Sequence, residues 1–353
     1  MEFIKPGVNI NFVGKRSIAI GCSLILIFAA VVSLLIHKGP KYGIDFAGGT
    51  MVQIKFEKPV SIDAIKAGLV DVGLQGSAVQ RFGSHAANEY LVRTNKAIVT
   101  GESFSDEIKS AVSKTTGADI EIRRIEMVGP QVGKDLREKA LFALFYALLF
   151  ITIYISGRFE LKWILSGVMA GALIGAVYFL SLLGVSIPIL IFVAIIITLI
   201  LFWQLSLRYA MGAIVALIHD VTITVGIFSF LDIEFTLPIV AALMTIVGYS
   251  LNDTIIVFDR IREDLKRYKG KSLEYIINRS INETLSRTIL TSLTTLVVLG
   301  CLFFFGGDII HDFAFALIIG VAVGTYSSIY IASPILLVLE EKLSVKKVAE
   351  AAG

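Results

Sequence analysis

The chain reads as an α-helical multi-span membrane protein with eight spans and one extracytoplasmic α+β domain of ferredoxin-like order. Three observations carry that reading. Of 353 residues, 56% are hydrophobic and only 17% charged, far more apolar sequence than one soluble core requires. The apolar residues fall in runs of membrane-crossing length, and a single long polar stretch, about 38–134, interrupts them. Lys and Arg gather at alternate ends of the runs, as the positive-inside rule requires of a multi-pass protein.

A hydrocarbon core of about 30 Å needs about 20 helical residues. That ruler places spans at about 17–36, 138–157, 161–183, 187–207, 209–231, 236–258, 287–306 and 312–338. Trp163 to Leu207 carries no charge and is too long for one helix, so Gly184 and Pro188 are expected to break it into a hairpin. The last run is long enough to tilt or to stop at Ser333-Pro334. Basic residues lie at Lys5, Lys15 and Arg16, near Arg158 to Lys162, at Arg208, through 259–286, and at Lys342, Lys346 and Lys347. The opposite turns, around Gly184, Asp232 to Glu234 and Gly306 to His311, have none, so both termini are expected in the cytoplasm. The first span is long and lacks a small-residue cleavage site, which favours an uncleaved anchor. Cys22 and Cys301 lie in apolar runs and read as buried small hydrophobes.

In the polar stretch, Val52, Ile54 and Phe56 alternate with Gln53 and Lys55, as in a strand. Ile62, Ile65 and Leu69 recur at helical spacing, 75–82 and 89–93 are short strands around Gly83-Ser84, and Phe104, Ile108 and Val112 mark a second helix. A last strand begins at Ile120 and slips at Arg123-Arg124, predicting a bulge. The order βαββαβ is that of a ferredoxin-like sandwich. Its one histidine, His85, reads as a loop residue, and no catalytic grouping is present.

Gly43 to Thr50 (GIDFAGGT) reads as a glycine turn into a strand, capped by Asp45. Gly129 to Lys134 (GPQVGK) lacks the spacing and the Ser/Thr of a nucleotide-binding loop and reads as a link into the next helix. Neither nucleotide nor nucleic acid is expected as a partner, and a net charge of +3 adds no argument for the latter.

The chemistry concentrates in the later spans. Asp253 lies six residues before Asp259, roughly 9 Å inside the cytoplasmic edge. A carboxylate there costs roughly 2.5–3.5 kcal/mol on insertion scales, so it is expected to face a partner or water. Arg287 enters from the same edge on the following span. The pair is either a static lock or, the reading favoured here, a proton relay in which Asp253 is loaded and unloaded as Arg287 approaches and retreats. Asn252, Thr254, Thr288 and Thr291 add groups that could hold water. His219-Asp220 lies about 17 Å deep. It is a second relay candidate, with a purely structural hydrogen-bonded pair as an equal alternative. Ser272 to Ser286 carries Leu273, Ile276, Ile277 and Ile281 on one face and is expected to be an interfacial amphipathic helix.

These motifs, with Arg158-Phe159-Glu160, His219-Asp220-Val221, Gly248 to Glu263 (GYSLNDTIIVFDRIRE) and Arg279 to Thr288 (RSINETLSRT), resemble the SecF family of bacterial protein-export membrane proteins. The resemblance implies an RND-like half transporter that works with SecD beside the SecYEG translocon, often with YajC, in the bacterial inner membrane. It implies use of the proton motive force to draw secreted polypeptides across, with H+ or Na+ as the coupling ion and no other cofactor. In that family the intramembrane acid and the arginine of the next span serve proton passage, which map onto Asp253 and Arg287. A small-molecule exporter of the same superfamily would need larger porter domains and about twelve spans, and a non-transporting scaffold would have no use for Asp253.

The family has six spans where this sequence has eight. The domains therefore read as N-terminus and first span (1–37), extracytoplasmic domain (38–134), second span (135–160) and an extra two-span insertion (161–207). Then come the His-Asp and Asn-Asp spans (208–258), a basic cytoplasmic loop with the amphipathic helix (259–286), the last two spans (287–340) and a tail (341–353). Because two spans are added, everything downstream keeps its orientation. Leu161-Lys162-Trp163 echoes Leu207-Arg208-Tyr209, which suggests a segmental duplication, and the extra pair is expected to be peripheral and to face lipid.

Overall fold

A computed structural model describes residues 8–82, 88–94 and 102–339; Lys5, Gly83-Ser84, His85 and the basic tail lie outside the described residues. The chain enters through α1 (Arg16–Ile36), an uncharged helix after its first residue. A short α2 (Ile44–Ala47) precedes the polar domain: β1 (Gly49–Phe56), α3 (Ile62–Asp71), β2 (Ala78–Phe82), β3 (Glu89–Thr94), α4 (Glu102–Thr116) and β4 (Ile120–Val128). The bundle continues with α5 (Pro130–Glu160), α6 (Trp163–Leu182), α7 (Ile187–Gln204), α8 (Arg208–Phe230), α9 (Leu237–Arg267), α10 (Leu273–Phe305) and α11 (Asp308–Ser327). A π-helical turn at Ser328–Ala332 follows, and helix resumes to Leu339. Eight helical stretches among the described residues are long and apolar enough to cross a membrane.

The order βαββαβ is present, in an antiparallel sheet ordered β2-β3-β1-β4. Val52, Ile54 and Phe56 of β1 meet Tyr90 and Val92 of β3 and the apolar faces of α3 and α4 in one core. Ser61 accepts from the Ala64 N–H and starts α3. The predicted bulge is at Arg123: Gln53 pairs with Arg124 but Ile54 with Ile122. Gly184, at φ 82°, turns α6 into α7, and Pro130, Pro188 and Pro238 each lie in the first turn of a spanning helix, where a missing N–H costs nothing.

Helix α8 packs on α1, α5, α9 and α11, while α9 packs on α10 and α11. These contacts are close. A Cβ on Gly226 would lie 2.1 Å from the Ala30 Cβ, and one on Gly320 2.2 Å from Ile246 Cγ1. By contrast α6 and α7 pack on each other and on α5, and α7 also on α8, leaving much of their apolar surface outward. That is the peripheral position expected of them.

Several expectations need correction. The segment 272–286 is no separate interfacial helix: it is the first half of α10, continuous with the seventh span. Ile276 is buried, and Ile277 and Ile281 are buried in one core with α8 and α9 residues rather than lying in a membrane surface. Residues 8–13 hold it there, with Asn278 Oδ1 accepting from Phe12 N at 2.8 Å and Asn282 Oδ1 from Ile10 N at 2.8 Å. Likewise α9 runs unbroken to Arg267, so the loop expected in the cytoplasm is short. Cys22 and Cys301 are exposed on the outer faces of α1 and α10, where lipid accommodates a small apolar group as well as a core does. The last span does not stop at Ser333-Pro334, because the π-helical turn absorbs the proline.

Candidate functional site

Two buried acids define the centre of the bundle, and α11 touches both. Asp220 on α8 is fully buried and well matched. Its Oδ1 lies 2.8 Å from His219 Nδ1, and its Oδ2 accepts from Ser250 Oγ at 2.5 Å and Ser327 Oγ at 2.8 Å. His219 Nε2 lies 3.1 Å from Ser23 Oγ of α1, which lies 3.0 Å from the Tyr326 hydroxyl. Tyr326 in turn donates to Ala19 O at 2.6 Å, and its ring stacks on His219. This network ties α1, α8, α9 and α11 together with every carboxylate oxygen of Asp220 occupied. Such networks inside a membrane fix helix register, at about 0.6 kcal/mol per bond.

Asp253 on α9 is equally buried and poorly matched. Its Oδ2 accepts from Ser292 Oγ of α10 at 3.4 Å, and its Oδ1 has no hydrogen-bond partner among the described residues. Ser292 is held 2.7 Å from Thr325 Oγ1 of α11. Thr288, one turn before Ser292, is buried, and its hydroxyl likewise has no partner among the described residues. The two sites are therefore adjacent in the last span: Thr325 serves Asp253 and Ser327 serves Asp220, just before the π-helical turn. Single π turns inside helices often occur at functional sites, since the extra residue redirects side chains.

Arg287 is exposed and forms no ion pair among the described residues, though its charge acts on Asp253 from a distance. The structure thus holds no static Asp253–Arg287 lock. Asn252 is exposed and stays out of the cluster, because one residue along a helix turns about 100° away. Thr254 is buried beside Asp253, and Thr291 bonds back to Arg287 O at 3.0 Å. The groups that do surround the acids (Ser23, Ser250, Ser292, Thr325, Tyr326 and Ser327) escape a sequence reading keyed to charge. Their one signal is a hydroxyl within an otherwise apolar run.

A further acid, Glu160, lies where the extra pair leaves and rejoins the bundle. Its Oε1 accepts from Tyr209 N at 3.0 Å, capping α8 from the end of α5, and Lys162 Nζ donates to Leu205 O at 2.9 Å. The two turns bearing the echoed sequences thus touch.

Comparison with known proteins agrees with this geometry. The family model described as protein export membrane protein SecD/SecF, C-terminal, matches residues 107–195 and 181–342. These stretches overlap at residues 181–195, inside the extra pair. A second model, the SecD/SecF GG motif, matches residues 33–60. The chain is 42% identical to the protein translocase subunit SecF of Magnetococcus marinus, covering 100% of this chain and 99% of that one. It is 41% identical to that of Desulfurispirillum indicum, over 93% and 90%. A crystal structure of SecDF, a translocon-associated membrane protein from Thermus thermophilus, superposes with a TM-score of 0.73 at 31% identity. That match covers 95% of this chain but 39% of the longer SecDF chain. The chain belongs to the SecF family of protein translocase subunits and is a multi-pass protein of the inner membrane.

Proposed function

We propose that this chain, paired with SecD beside the SecYEG translocon and YajC, uses the proton motive force to help draw secreted polypeptides across the inner membrane. Asp253 is the group that takes up and releases the proton, and Arg287 is the mobile counter-charge. One observation supports this above others. Asp253 is fully buried in a spanning helix, yet among the described residues one carboxylate oxygen has no hydrogen-bond partner and the other has only a long bond of 3.4 Å. A permanent ion pair would need better matching, and a group whose charge comes and goes does not. Ser292, Thr325 and Thr288 supply hydroxyls that can pass a proton or hold water beside it. His219 and Asp220, both candidates for the relay on sequence grounds, take the structural part, because each oxygen of Asp220 already has a donor.

The test is reconstitution of the chain with its SecD partner and translocon in vesicles, following acidification and precursor export together. Asp253→Asn and Arg287→Ala are each expected to remove the proton-driven share of export while insertion and partner binding persist. Normal export by both variants would leave a scaffold as the better account. Replacing Na+ by a larger cation during the assay separates the two coupling ions.

A further inference from the structure

The GIDFAGGT and GPQVG motifs take no part in proton passage, yet they meet at one place. Gly48 has φ +75°, and a Cβ there would lie 2.7 Å from Pro130 Cα. A Cβ on Gly133 would lie 3.0 Å from both Gly48 N and Phe46 O. The two glycines therefore let the entry to β1 lie flat against the start of α5. This close seat aims the preceding residues at the six-residue turn between α8 and α9.

Three kinds of contact converge on that turn. Backbone pairing comes first: Gly43 N donates to Phe235 O at 2.9 Å, and Phe235 N to Lys41 O at 2.6 Å. Asp45 Oδ2 accepts from Leu237 N at 2.9 Å, so an acid of the motif caps the first turn of α9. Arg93 of β3 forms an ion pair with Glu234, both largely buried, and the charge of Asp312 on α11 acts on the same guanidinium. The outer pair, Lys41 with Asp232 at 2.6 Å, is exposed and contributes little.

What these contacts hold gives them meaning. Leu237 opens the helix that carries Asp253, about 24 Å farther down a continuous rod. Phe230 ends the helix that carries Asp220, about 15 Å away. Asp312 lies near the start of the helix that supplies Thr325 and Ser327. Arg93 thus faces the outer ends of two helices whose inner parts line the acid sites. Helices of this kind shift as rigid bodies, so an axial displacement at one end appears at the other.

We propose that the α8–α9 turn is the joint through which the acid sites and the extracytoplasmic domain move together, with Asp45, Arg93 and Glu234 as its positioning residues. The proposal deepens the proton-coupled reading above and rests on it for its purpose, though its test does not depend on proton flow. Asp45 and the backbone pairing grip α9 directly, while Arg93 ties β3 to the same turn. A change of charge at Asp253 that moves α9 then moves the sheet.

Hydrogen exchange on the full chain with its SecD partner in lipid nanodiscs tests this. Asp253→Asn is expected to alter exchange in residues 42–48 and 88–94 by about fivefold, a usual size for coupling between sites. Arg93→Glu or Glu234→Arg should remove that response, and the two together should restore it by exchanging the charges. Asp45→Ala should weaken the response and Asp45→Asn, which keeps an acceptor, should retain it. A response that persists unchanged with the ion pair broken overturns the joint, as does an intact chain in which Asp253→Asn moves neither segment. Proton flow that persists in Asp253→Asn while the exchange response is present would instead count against the proton-coupled reading alone.

Discussion

Two helical hairpins follow one another in this chain, α6–α7 and α8–α9, and they begin alike. Each first helix opens within a Leu-basic-aromatic triplet, Leu161-Lys162-Trp163 and Leu207-Arg208-Tyr209, and each second helix opens with an apolar residue and proline. By hydropathy α6 and α8 are indistinguishable, at 1.9 each. Yet 22% of the best window of α6 is buried against 61% for α8. The difference lies in polar content and in glycine surroundings. Hairpin α8–α9 carries His219, Asp220, Ser250 and Asp253, which must face protein, and glycines crossed by neighbouring helices. Hairpin α6–α7 has no ionisable group after Lys162 besides Tyr178, and Gly167, Gly171 and Gly175 have nothing within 4 Å of their Cβ positions. Mean apolarity says that a segment spans, while the placement of polar and small residues says what it faces.

The sharpest way to break this contrast lies within α8–α9 itself. Asp220→Ala leaves His219 and Ser250 without their acceptor, at about 1–3 kcal/mol for each group that finds no other, while Ser327 keeps Gly324 O at 3.1 Å. Folded protein recovered from membranes and its melting temperature in detergent should both fall clearly. Asp253→Ala removes only one long contact and an orphaned oxygen, so its melting temperature should stay near that of the parent. Equal destabilisation by the two would mean that both acids hold structure and that the division of labour is wrong.

A smaller effect follows from the glycines. Gly320→Ala drives a methyl into Ile246 and should cost about 1–3 kcal/mol as overpacking between α11 and α9. The same measurement of melting temperature reads it. If Gly320→Ala is silent, the α9–α11 contact is looser than its geometry implies.

The spans, their number and the strand order were legible because each rests on local repetition: apolar runs of fixed length, alternation in β1, and Gly184 with Pro188 at a break. Asp253 was legible because a charge in an apolar run has few explanations. Other features were hidden for physical reasons. The first half of α10 has the amphipathic pattern of a surface helix, but that pattern equally suits a helix buried on one side by protein, and residues 8–13 decide which. Asn252 stands beside Asp253 in sequence, but helical rotation separates them in space. The hydroxyls of Ser292, Thr325 and Ser327 come from two other helices, and nothing local fixes which faces those helices present. Asp45 looked like a cap for its own turn; its partner, Leu237, is 192 positions away.

Removing the extra hairpin is a gentler perturbation than its size suggests. Deleting residues 161–206 joins Glu160 to Leu207 and places Tyr209 three residues beyond the acid. The existing bond from Tyr209 N to Glu160 then becomes an ordinary capping bond at the start of α8. Lys162 and its acceptor Leu205 leave together. The shortened chain should insert, bind its SecD partner and support export close to that of the parent, read by co-purification and precursor protection from protease. Failure to assemble would make α6–α7 a part of the machine rather than an addition to it.

The smallest expected effect separates those two outcomes. Gly171 lies in the middle of α6 with open space around its Cβ position, so Gly171→Ala meets no clash within the chain. Replacing an interior helical glycine by alanine should instead stabilise by about 0.5–1 kcal/mol, raising the melting temperature slightly. Measured on the chain alone, that is the result the structure requires. Measured in the assembled complex, it reports on what lies against the helix. Lipid tails yield to a methyl group, whereas a closely packed partner helix does not. A variant more stable alone but poorly retained by its partners would convert the face of α6 from a lipid surface into a contact, and the contrast between the two hairpins would narrow to the chemistry of their acids.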